Sequence, residues 1–288
     1  MLSKSFCAIL ASLLLVSCSQ NSEFERAMTS IEAQNPFDYK LDVRYSLGTN
    51  KNILLCNHGF GGNSQSVIDR VKPHTADTVI GFNYFDHGFS HETGDDQATT
   101  MATPLEIMPL IYMLKGCVIE SNMPSISLYG FALGAADIIY AIDLLTKEEQ
   151  SELEKKYNIT LSDKKRILAA LRNGKILLDV PFKSIDEIIN LRGPQETLLM
   201  YKERMATYKL LNPIDTLSKL SDLNMTFVVF FDANNEFFSN SEDANFAKYL
   251  LEANSKGTNI VITADNGGHL ADHLTLWKIY SSLEQQKK

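Results

Sequence analysis

The chain has 288 residues, 44% hydrophobic and 22% charged, the balance of a soluble globular protein with material for one large α/β domain. Its net charge of −8 is spread along the chain, and no stripe of Lys and Arg interleaved with aromatics occurs. That argues against nucleic acid as a partner.

In chain order, a lone Lys4 precedes the apolar run Phe6 to Val16, which is too short for a permanent membrane helix and reads as the core of a signal peptide over 1–17. It ends in Leu15-Val16-Ser17-Cys18, which resembles the lipobox of bacterial lipoproteins. The resemblance implies cleavage before Cys18, lipid on its sulfur and attachment to the cell envelope. Ser19 in place of an aspartate favours the outer membrane if the cell is Gram-negative. The polar stretch 18–35 is expected to be a tether, with the folded domain over 36–288. Within that domain, Cys56 and Cys117 read as two buried small hydrophobes in preference to a bridge.

Six apolar runs follow as expected buried strands: Asn52 to Asn57, Thr78 to Asn83, Ser125 to Tyr129, Lys175 to Asp179, Thr226 to Phe231 and Asn259 to Thr263. Amphipathic stretches alternate with them, the βαβ rhythm of a mostly parallel sheet with helices on both faces. Helix starts are expected at Thr103-Pro104-Leu105-Glu106, at Thr146 with Glu149 and at Ser184 with Glu187, where capping residues stand three apart. Charged helical insertions are expected at about 146–172 and 184–209, the second as a lid.

Two motifs carry the chemistry. His58-Gly59-Phe60-Gly61-Gly62 follows a strand end and offers the Phe60 N–H as one half of an oxyanion hole. Tyr129-Gly130-Phe131-Ala132-Leu133-Gly134 joins a strand to a helix as Gly-x-Ala-x-Gly, a nucleophile elbow with alanine at its apex and the Leu133 N–H as the second donor. With Asp86-His87-Gly88-Phe89-Ser90, Leu178 to Ser184 and Asn212-Pro213-Ile214-Asp215 in the same order, the chain resembles the α/β-hydrolase superfamily, in its dienelactone-hydrolase-like and serine-aminopeptidase-like branch.

The resemblance covers roughly Asn52 to Trp277 and implies an α/β-hydrolase fold with an eight-stranded type of core. It implies that His269, in Gly267-Gly268-His269, holds the place of the catalytic base. It puts Asn235 on the acid position, with Asp232 and Glu236 as ionisable neighbours. An amide beside the histidine favours the wrong imidazole tautomer, and a missing serine oxygen removes the acyl-enzyme route.

Other nucleophiles are Ser64, Ser66, Ser90, Ser239 and Cys56, each read first as a turn or core residue. His87 with His91 and His269 with His273, beside Asp86 and Asp272, are read as loop residues in preference to a zinc site, and no cofactor is called for. The sequence therefore points to a lipid-anchored pseudo-hydrolase binding an ester-, acyl- or peptide-like small molecule or lipid. The alternative is an active serine-hydrolase-type esterase, lipase or peptidase using another nucleophile, or one in which serine has been exchanged for Ala132.

Overall fold

The computed structural model describes residues 24–37, 39–50, 52–84, 104–120, 123, 125–184, 212–235, 240–265 and 267–286. The expected signal peptide, Cys18, the Asp86 to Ser90 turn and the 184–209 insertion beyond Ser184 lie outside these residues.

Seven strands among the described residues form one sheet. They are β1 (Val43–Ser46), β2 (Ile53–Asn57), β3 (Thr78–Phe82), β4 (Ser127–Phe131), β5 (Ile176–Asp179), β6 (Thr226–Asp232) and β7 (Thr258–Ala264). Their order across the sheet is β1-β3-β2-β4-β5-β6-β7. Only β1 is antiparallel, hydrogen-bonded to β3, and the other neighbouring strands are parallel. The apolar-run criterion missed β1, because Val-Arg-Tyr-Ser is an edge strand whose two middle residues are exposed. At the opposite edge, β7 is half-exposed: Ile260 and Ile262 pack toward the core while Val261 stays outside.

Side-chain alternation along the strands divides the core in two. Leu55, Ile80, Leu128, Leu178, Phe227, Val229 and Phe231 point to one face of the sheet and join one cluster. Leu54, Cys56, Val79, Tyr129, Leu177, Val228 and Phe230 point the other way into the second.

Helices cover both faces. In chain order they are α1 (residues 24–33), α2 (Ser64–Val71), α3 (Pro104–Lys115), α4 (Leu133–Thr146), α5 (Glu152–Lys156), α6 (Leu161–Asn173), α7 (Pro213–Leu217), α8 (Asp243–Ala253) and α9 (Leu274–Gln285). The second face is covered by α2, through Val67, Ile68 and Val71, and by α9, through Leu276, Trp277 and Tyr280. Helices α1, α3, α4, α6, α7 and α8 put their apolar residues on the first face, with the short α5 between α4 and α6.

Two elements differ from the sequence expectation. Residues 24–33 lie within the expected tether, yet they form a helix that buries Phe24, Met28 and Ile31, and the Tyr112 hydroxyl donates to the Ile31 carbonyl at 2.8 Å. The spacing of those three residues makes a short apolar stripe on an otherwise polar segment. Thr146 ends α4 where a helix start was expected. The capping boxes stand further on, at Ser151 with Glu154 and at Thr160 with Asp163. Cys56 and Cys117 are both buried and unbridged.

Candidate functional site

The site lies where β2 is flanked by β3 on one side and β4 on the other, so the loops after β2 and β4 emerge side by side. The register sets Asn57 opposite Gly130, at the foot of both loops.

Ala132 occupies the turn between β4 and α4 with φ 49° and ψ −107°, a conformation that L residues adopt only under strain. Its N–H donates to the Asp179 carbonyl at 2.9 Å. The flanking glycines are needed for close packing: a Cβ on Gly130 would collide with the Gly134 carbonyl oxygen, and one on Gly134 with that of Asn57. The backbone of a nucleophile elbow is thus present with a methyl group at its apex. Leu133 begins α4, where N–H groups have no acceptor within the helix.

In the β2 loop, His58 is buried, donates from Nδ1 to the Gly59 carbonyl at 2.7 Å and packs its ring on Tyr84. A Cβ on Gly59 would meet the Phe131 ring at 2.8 Å, so the loop lies directly against the elbow. Phe60 is exposed.

His269 follows two glycines with φ of 98° and 97°, a path that side chains would strain. It is buried and packs against Phe131, with ring centroids 5.0 Å apart. Asn235, in the turn after β6, brings Nδ2 to 3.3 Å from His269 Nδ1. The amide therefore faces the histidine nitrogen at the position expected for the acid. Asp232 accepts from backbone N–H groups, at Oδ1 from Asn234 at 2.8 Å and at Oδ2 from Gly268 at 3.2 Å.

A buried ionic network under the His269 loop was not anticipated from the sequence. His273 Nδ1 lies 2.5 Å from Asp179 Oδ1, while Nε2 lies 3.2 Å from the Gly268 carbonyl and 3.5 Å from Asp232 Oδ2. Burial pulls the His273 pKa down, but the hydrogen bond and charge of Asp179 outweigh it and hold the imidazole above its ordinary value. Arg70 donates to the Ala271 carbonyl at 2.6 Å, to that of Leu270 at 3.3 Å and to the Tyr129 hydroxyl at 3.0 Å, and lies 3.5 Å from Asp179. The Tyr129 hydroxyl donates to Asp179 at 2.6 Å. The signals available in the sequence were Asp179 at a strand end and a second histidine four residues after His269.

The other candidate nucleophiles within the described residues have structural roles. Ser64 Oγ donates to Asp42 at 2.7 Å, Ser66 closes the capping box of α2, and burial pushes the Cys56 thiol well up. Ser90, Ser239, Glu236, His87 and His91 lie outside the described residues. Asp272 accepts from His74 Nε2 at 3.0 Å on the surface.

No family model matches the sequence, and no curated protein matches it. Solved structures do match. An esterase of Pyrococcus furiosus is 13% identical, with 86% of this chain and 88% of that one covered at a TM-score of 0.57. A Butyrivibrio proteoclasticus protein with ferulic acid bound is 13% identical, covering 87% and 97% at 0.55. An alpha-beta hydrolase from Vibrio vulnificus is 12% identical, covering 86% and 77% at 0.53. With its mostly parallel sheet, two helical layers and strand-elbow-helix turn, the chain has the α/β-hydrolase fold.

Proposed function

We propose that the chain is an exported lipoprotein, held at the cell envelope by lipid on Cys18, whose hydrolase-type site binds an ester-, acyl- or peptide-like ligand without turning it over. The observation that carries this reading is the pairing of Ala132, in elbow geometry, with Asn235 at His269 Nδ1. Acyl transfer needs an oxygen at the apex and an acid that orients the histidine, and these two positions carry a methyl group and an amide. The ferulic acid held by the Butyrivibrio proteoclasticus protein supports an acyl-type ligand on this fold.

The test is hydrolysis of short- and medium-chain p-nitrophenyl esters by the full chain, by Ala132→Ser and by Ala132→Ser with Asn235→Asp. The unmodified chain is expected to match its His269→Ala control, and the double variant to exceed it by about 10² or more. Turnover by the unmodified chain well above that control overturns the reading in favour of an active enzyme.

A further inference from the structure

We propose that β7 is a self-association edge: it pairs antiparallel with β7 of a second copy of this chain across a two-fold axis, so that the two sheets become one. The pairing is independent of what the elbow binds.

The two edges of the sheet are built differently. An edge strand presents unpaired N–H and C=O groups, and native proteins blunt it with short length, charge, proline or bulges. Strand β1 has four residues and carries the exposed Arg44 in its middle. Strand β7 has seven, Thr258-Asn259-Ile260-Val261-Ile262-Thr263-Ala264, with no charged residue, proline or glycine. Its register with β6 runs unbroken from Thr258 to Ala264, so no bulge bends it away. Among the described residues, it has no neighbour on its other side.

Hydrogen bonds to β6 decide which backbone groups of β7 face outward. The Thr258 N–H donates to the Met225 carbonyl at 2.9 Å and the Ala264 carbonyl accepts from the Ala233 N–H at 2.9 Å, so the even-numbered residues face β6. Alternation then turns the N–H and C=O groups of Asn259, Val261 and Thr263 outward. An antiparallel partner centred on Val261 engages all of them. Val261 exchanges both N–H···O bonds with its own counterpart, and Asn259 exchanges both with Thr263 of the second copy.

The side chains agree with that register, because Asn-Ile-Val-Ile-Thr has nearly the same pattern in both directions. Ile260 opposes Ile262 of the second copy on one face, and Val261, which is 39% exposed, meets its counterpart on the other. Such self-complementarity is what a two-fold interface requires. Charges complement as well. Lys256 precedes the strand and the exposed Asp265 follows it, so the Lys256 end of each copy lies beside the Asp265 end of the other. Lys256 is exposed, as is Asp222, its partner at 2.5 Å within the chain. The two elbows then open in opposite directions, because the carboxyl ends of the paired sheets point apart.

The experiment traps the pair by cysteine in the full chain in mild detergent, with copper–phenanthroline as oxidant and peptide mass spectrometry to map each disulfide. Val261→Cys is expected to give a link between the two 261 positions, since a hydrogen-bonded pair stands about 5.5 Å apart at Cα, within the roughly 4.4–6.8 Å that a disulfide spans. Thr258→Cys, on the same edge but about 20 Å from its own counterpart, is expected to give about tenfold less or lower still. Light scattering at about 100 μM, with the detergent subtracted, is expected to give the mass of two copies for the unmodified chain and of one for Val261→Lys. The Val261 side chain is exposed, so the lysine leaves the core in place, which circular dichroism checks. Equal trapping at 258 and 261, a dimer that survives Val261→Lys, or a single-copy mass for the unmodified chain overturns the proposal.

Discussion

At Ala132 the protein keeps a strained backbone without the hydroxyl that strain of this kind presents to a substrate in a hydrolase. A non-glycine residue at φ 49° and ψ −107° costs on the order of 1–3 kcal/mol. Ala132→Gly is therefore expected to stabilise the chain by about 1 kcal/mol after the entropy of the added glycine is subtracted, as read from chemical denaturation. A loss of stability of the same size would show that the alanine methyl makes packing worth more than the strain. The residue scale is also where the sequence was most legible. Ala132, His269 and Asn235 could each be located from glycine spacing and strand ends, because those motifs encode backbone geometry. The direction of the amide toward His269 Nδ1 could not, since it depends on how the β6 turn and the glycine loop fold toward one another.

Between elements, the network of Arg70, Tyr129, Asp179, Asp232 and His273 ties α2, β4, β5 and β6 to the loop that carries His269 and leads into α9. Its members are scattered from residue 70 to residue 273, which is why no local pattern announced it. Asp179 keeps Arg70 and Tyr129 when His273 is removed but loses a charged hydrogen-bond partner, so His273→Ala is expected to cost about 1–3 kcal/mol in unfolding free energy. A cost below about 1 kcal/mol would mean that the network does not hold the loop.

The pH dependence follows with a definite sign. His273 is raised above its ordinary 6.5, so its contribution is complete below that value and is lost as pH rises through the raised one. Asp137, buried in α4 with its carboxyl pushed well up by desolvation, acts in the same direction from its ordinary 3.8 upward. The melting temperature is expected to fall as pH rises above about 6.5. In His273→Ala that fall should be smaller, and an unchanged slope would remove His273 as its source.

For the molecule as a whole, the layered architecture was legible because buried parallel strands are written as continuous apolar runs. One edge was not: β1, with its two middle residues exposed, was missed, whereas β7 was found although it too is half-exposed. Residues 24–33 were hidden by their polarity, although Phe24, Met28 and Ile31 extend the core of the first face. Ile31→Ala is expected to cost about 2–4 kcal/mol in chemical denaturation, a magnitude that a tether residue would not give.

The proposed binding-only site requires that no serine elsewhere in the chain serve as the nucleophile. Labelling with a fluorophosphonate probe followed by peptide mass spectrometry, on the full chain and on Ala132→Ser with Asn235→Asp, decides the matter at the level of single residues. No adduct is expected on any serine of the unmodified chain, and a single adduct is expected at position 132 of the double variant. An adduct on another serine of the unmodified chain would contradict a binding-only site.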